Sequence, residues 1–172
     1  MNGSTWTAWF SLKLGFSFIG LIFLLSLFIP NLWFALHAPS WQTEMDDSEP
    51  ALFLIPERLG QISVTFLMLC TGSLKLTGSW EPWDWWLAAA AVLMGLYLAA
   101  WIRFFAGGSS LVDFYRPFLG IPLPLAALPV AAALSLGIYA RSFWLVLSGA
   151  VLCFGHIGIH LQHWRTVHHC SG

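Results

Sequence analysis

LGFSFIGLIFLLSLFIPNLWFAL, residues 14–36, runs for 23 positions without an Asp, Glu, Lys, Arg or His. An α-helix needs about 20 apolar residues to cross the hydrocarbon layer of a bilayer, so this stretch is long enough to span one. It is too long for the apolar part of a signal peptide, and no small-residue cleavage pattern follows it. It therefore reads as a retained span. Pro30 and Asn31 interrupt it near its far end.

Four more apolar runs follow, at residues 56–76, 83–105, 117–140 and 143–164. Pro56 suits a first helical position, where its missing N–H costs nothing. The third run has an alanine-rich middle at residues 88–91. The fourth holds Pro122, Pro124 and Pro129, which predict a kinked or irregular start. The expectation is an all-α fold: a polytopic integral membrane helical bundle of five transmembrane helices, forming one domain over residues 1–172. A β-barrel would need alternating segments rather than continuous runs.

Composition agrees. Fifty-eight per cent of the 172 residues are hydrophobic and nine per cent charged, where a soluble domain carries about a quarter charged. Seven basic against eight acidic residues make no phosphate-tracking stripe, which excludes nucleic acid as a partner. Membrane lipids are the partners this composition implies, with a homo-oligomer or a larger membrane complex as further expectations. The eleven tryptophans gather at the ends of the apolar runs, where an indole keeps its ring in hydrocarbon and its N–H wet. Cys70, Cys153 and Cys170 form no CxxC pair, so neither a disulfide framework nor a thiol redox pair is expected. The one long connection, residues 37–55, is acidic and polar. Basic residues divide three to four between the two faces, which leaves absolute orientation open.

Five crossings would place the unusual polar residues on one face. Call the face that holds Lys13 the first. The second then receives Glu57, Arg58, Gln61, Arg103, Asp113, Tyr115, Arg116, His156, His160 and His163. The histidine spacing of four and three puts those three side chains on one helical face. At 1.5 Å per residue, His156 lies about 12 Å inside Trp164, and an ionisable group at that depth is a functional candidate. His156 and His160 are candidates for acid–base catalysis, with Glu57 assisting. With His163 they are also candidate metal ligands, since imidazole suits zinc and iron. The pair lacks the glutamate of HExxH. Glu57, Gln61, Thr65, Met68 and Gly72 form a stripe on the second run, and an amide one turn into a membrane helix needs a partner. Arg103 and Arg116 are candidates to hold an anionic headgroup. Asp113 and Tyr115 complete the expected substrate-binding set.

Three functions fit this pattern. One is an intramembrane enzyme acting on a lipid or isoprenoid-like substrate by histidine acid–base or metal-assisted chemistry. Another is a small-solute or proton transport or sensing component. The third is a non-catalytic accessory subunit. No cofactor is specified by spacing alone. The five-crossing arrangement has a direct test: Asn2→Cys and Ser171→Cys, introduced singly into a chain otherwise free of cysteine, should label from opposite faces of the membrane. Labelling of both from the same face would overturn the topology and the clustering that depends on it.

Overall fold

Ser17 decides where the first helix begins. Its backbone is extended, and its hydroxyl accepts the Gly20 N–H at 2.9 Å, a side-chain N-cap that opens α1, Phe18–Leu36. Upstream, the chain pairs with the segment leaving α2, Ala51–Cys70. Gly15 N donates to Cys70 O (2.9 Å), Ser17 N to Leu69 O (2.9 Å) and Gly72 N to Lys13 O (2.8 Å). This short antiparallel contact corrects two expected boundaries: Gly15, Ser17 and Gly72 direct their backbone N–H groups across it rather than into helices, and residues 71–76 lie beyond the end of α2. It relies on glycine: a Cβ at Gly15 would stand 3.2 Å from Gly72 Cα. The computed structural model describes residues 7, 9–37, 39, 41, 50–76 and 78–169, with side chains to 165. The acidic residues Glu44, Asp46, Asp47 and Glu49 and the side chains of His168 and His169 lie outside the described residues.

α2 starts five residues before the expected Pro56, which lies inside it. Glu57 is thus the seventh residue of the helix, beyond the first turn where a helix end favours a carboxylate. A 3₁₀ turn at Pro82–Asp84, closed by reciprocal capping between Glu81 and Asp84, leads into α3, Trp85–Ala106. The short α4, Leu111–Tyr115, follows. The fourth apolar run becomes α5, Pro124–Tyr139, starting seven residues later than expected. Pro122 and Pro124 push the residue before each out of the helical region, and residues 118–121 fold back as a turn with Leu119 and Gly120 at positive φ. α6, Phe143–His169, ends five residues beyond the expected limit.

Among the described residues four helices are long and apolar enough to cross a membrane: α1, α2, α3 with its 3₁₀ turn, and α6. Their outward faces carry large apolar side chains such as Ile22, Leu32, Ile62, Phe66, Ile102 and Phe154, as a lipid-facing surface requires. The remaining expected span, the fourth apolar run, is different in kind. α5 has 16 residues, about 24 Å of helix, and 12 of them are buried. It is the central post of the bundle, packed between α3 and α6 through Ala90, Ala100, Ala132 and Ala133. Ala126 near its start packs beside Tyr115 and Trp164. At its other end the Tyr139 hydroxyl donates to Lys75 O (2.6 Å) and Trp83 Nε1 donates to Tyr139 O (3.0 Å).

The most extensive helix pair is α2 with α6, and glycine makes it close. A Cβ at Gly60 would lie 2.6 Å from Leu152 Cα, and one at Gly155 would lie 2.7 Å from Glu57 Cα. Gly155→Val should therefore force the helices apart, at about 1–3 kcal/mol for overpacking, and lower the thermal midpoint in detergent by several degrees. Gly95→Ala faces open space and should hold or raise that midpoint, since alanine is the better helix former. Equal midpoints for the two variants would show that the α2–α6 contact is loose.

Candidate functional site

Glu57 and His156 meet where α2 and α6 approach. Glu57 Oε1 lies 2.6 Å from His156 Nδ1, and Gln61 Nε2 donates to the same oxygen at 3.3 Å. An ionised carboxylate only accepts, so this contact orients His156 with its N–H on Nδ1. That leaves Nε2 as the acceptor nitrogen of the neutral ring. Glu57 is buried and His156 is mostly covered. A buried carboxylate in apolar surroundings needs such partners, and both come from helical spacing: Gln61 one turn on, His156 from the facing helix.

His156 continues into a row. The His160 ring stands edge-on to it, with centroids 4.6 Å apart, and the His163 ring follows at 6.3 Å from His160. The Tyr115 hydroxyl approaches His160 Nδ1 at 3.4 Å, and Phe114 stacks on the same imidazole at 5.8 Å. α4 is thus folded over the histidine face of α6.

Two cavities meet at His156. The lower, about 260 Å³, lies between α1, α2, α3, α5 and α6 and is mainly apolar, with Gln61, Thr65 and Asn31 on its walls. The upper, about 410 Å³, is lined by Glu57, Arg58, the three histidines and a group of aromatic rings. Asn31, Leu125 and His156 border both.

Glu57, Gln61, His156, His160, His163 and Tyr115 are brought together. Arg103, Asp113 and Arg116 are not: they line neither cavity. Arg103 donates to Pro117 O (2.8 Å) and Arg116 O (2.7 Å), with its guanidinium 5.0 Å over the Phe118 ring. It ties down the irregular chain ahead of α5, where carbonyls lack helical partners. Asp113 accepts from the Ser110 hydroxyl at 2.6 Å within the cap of α4. The expected metal set is not assembled either: among the described residues no group of three or more His, Cys, Asp or Glu side chains is placed to hold an ion. His156 Nδ1 faces Glu57 and His160 Nδ1 faces Tyr115, so those two nitrogens are turned to other partners.

Sequence reasoning treated Asn31 only as an interruption of the first run. Its Nδ2 donates to Leu27 O (2.7 Å) and to the Tyr97 hydroxyl (2.6 Å). An amide deep in an apolar run was the available signal. A second polar cavity, about 280 Å³, opens at the other end of the bundle among Lys13, Thr71, Lys75, Asp84 and Arg141. These residues come from three chain segments and had no common spacing to reveal it. No family model, curated protein sequence or solved structure matches the chain.

Proposed function

We propose that the chain is a membrane-embedded acid–base site for an amphiphilic, lipid-class substrate, formed by five crossings with the termini on opposite faces. The observation that carries this reading is the 2.6 Å Glu57–His156 contact at the junction of the two cavities. A molecule with its apolar part in the lower cavity brings its polar end to His156. Imidazole exchanges protons near neutral pH. Glu57 holds its tautomer and orientation, and it opposes the positive charge that appears when Nε2 takes a proton. Gln61 keeps the carboxylate oxygen in place through the second hydrogen bond. His160 and Tyr115 extend the polar row away from the bundle centre, giving a proton a route toward the second face. Arg103, Asp113 and Arg116 serve the scaffold in this reading. A proton carrier could use the same residues, but the mainly apolar lower cavity favours a ligand with a hydrocarbon part.

The pair can be tested without a known substrate. In ¹⁵N-histidine NMR of the protein in detergent, neutral His156 should carry its proton on Nδ1. Glu57→Leu removes the acceptor and should shift that resonance toward the other tautomer. It should cost about 1–3 kcal/mol, the scale of a lost buried hydrogen bond, and leave the fold intact. A His156 spectrum unchanged by Glu57→Leu would overturn the acid–base reading.

A further inference from the structure

Lys13, Lys75 and Arg141, the basic residues at the end of the bundle opposite the histidine row, all border one cavity of about 280 Å³. Each reaches it through a separate tertiary contact. Lys13 precedes α1, and its carbonyl accepts from Gly72 N at 2.8 Å. Lys75 follows α2, and its carbonyl accepts from the Tyr139 hydroxyl at 2.6 Å. Arg141 lies between α5 and α6, and its guanidinium stands 4.7 Å over the Trp83 ring. The backbones of three cationic residues are thus fixed around one space, and a concentration of one sign of charge in a cleft attracts the other.

Arg141 stands where a helix usually ends in glycine. It is the residue just beyond the C-cap of α5, at φ 49°. Its N–H donates to Ile138 O (3.0 Å), and that of Ser142 donates to Gly137 O (3.0 Å). That double closure favours glycine at its left-handed position. An arginine holds this backbone at a cost that glycine would avoid. What it adds is a planar fork of donors, suited to the oxygens of a phosphate.

Glu81 and Asp84 also border the cavity. Both cap the 3₁₀ turn: the Glu81 side chain accepts from the Asp84 N–H, and Asp84 Oδ2 accepts from Glu81 N at 2.7 Å. Among the described residues none of Lys13, Lys75 and Arg141 is in an ion pair. Three cations against two carboxylates leave one positive charge in excess, which the single charge of a phosphodiester balances.

The cavity has an apolar neighbour. Leu12 borders both it and a groove of about 330 Å³ between α2 and α6, lined by Phe66, Leu67 and Trp144. Leu12, Phe66 and Trp144 are exposed, so the groove lies on the outside of the bundle. Trp80, Trp83, Trp85 and Trp86 precede or open α3 at this same end, and Trp144 opens α6. Such a gathering of indoles marks the headgroup level of a bilayer.

We infer that this end of the bundle binds an anionic phospholipid, with its phosphate among Lys13, Lys75 and Arg141 and an acyl chain along the α2–α6 groove. The site does not rest on the acid–base reading: His156 lies about 20 Å along α6 from the start of that helix.

The test is native mass spectrometry of the full chain in detergent, titrated separately with phosphatidylglycerol, phosphatidylcholine of the same acyl chains, and glycerol 3-phosphate. Phosphatidylglycerol should bind saturably and ahead of the other two. Arg141→Gly suits the left-handed backbone, so the thermal midpoint should hold while phosphatidylglycerol binding weakens about tenfold, the scale of one charge-assisted hydrogen bond. Lys75→Gln leaves the Tyr139 contact with the residue 75 carbonyl in place and should weaken binding in the same direction. Arg165→Gln removes a charge at the opposite end of α6 and should leave binding unchanged. Equal binding of phosphatidylcholine, or no binding of phosphatidylglycerol, overturns recognition of an anionic headgroup. Equal or tighter binding of glycerol 3-phosphate overturns a lipid as the source of the phosphate. Full affinity in both Arg141→Gly and Lys75→Gln, or equal weakening by Arg165→Gln, overturns the placement of the site.

Discussion

The close approach of α2 and α6 underlies the rest of the structure. Gly60 and Gly155 present no Cβ where each helix meets the other's backbone, so the two axes come nearer than larger side chains would allow. In hydrocarbon, association is driven by packing rather than by release of water, and small residues at the contact are what permit it. The consequence is chemical as well as mechanical. Glu57 sits against Gly155, and at that separation its short side chain reaches the ring of the adjacent His156.

α5 supplies the complementary constraint. It is too short to be an ordinary lipid-facing span and too buried to need a lipid-facing surface. Alanines set its contacts with α3, while Gly137 and Leu134 meet α6 at Val146 and Gly149. Hydrogen bonds from Tyr139, Trp83 and Ser73 anchor its far end to the connection between α2 and α3. Each contributes about 0.5–1.5 kcal/mol net, and together they satisfy carbonyls that a helix terminus would otherwise leave bare. The bundle is thus pinned by backbone and side-chain bonds at the end where Lys13, Lys75, Asp84 and Arg141 border a cavity, while the histidine row and its two cavities occupy the other.

Polar groups inside this apolar bundle occur in partnered sets. Asn31 bonds across to Tyr97, Glu57 holds His156 and Gln61, and Tyr115 covers His160. Each set joins two helices, so each is both a structural tie and a wall of a cavity. That double role explains why the site forms at helix contacts rather than on a loop: without water, a side chain that could serve chemistry must first have a partner.

Much of this was legible in the chain. Uncharged runs of more than twenty residues satisfy their backbones as helices, so the helical class, and helices long and apolar enough to cross a membrane, followed from composition. Spacings of four and three placed His156, His160 and His163 on one face and aligned Glu57 with Gln61, because helical periodicity is local. Helix ends were less legible: residues 14–17 pair with residues 69–72, a contact between positions more than fifty apart. The roles of Arg103 and Asp113 were decided by which carbonyls and hydroxyls the folded connection left unsatisfied. The two-cavity arrangement, and the pairing of His156 Nδ1 with Glu57, likewise belong to tertiary structure. The sequence determined which side chains share a helical face, a matter of pitch. Only packing decided which faces meet and how closely, because that depends on where glycine removes a side chain from both helices at once.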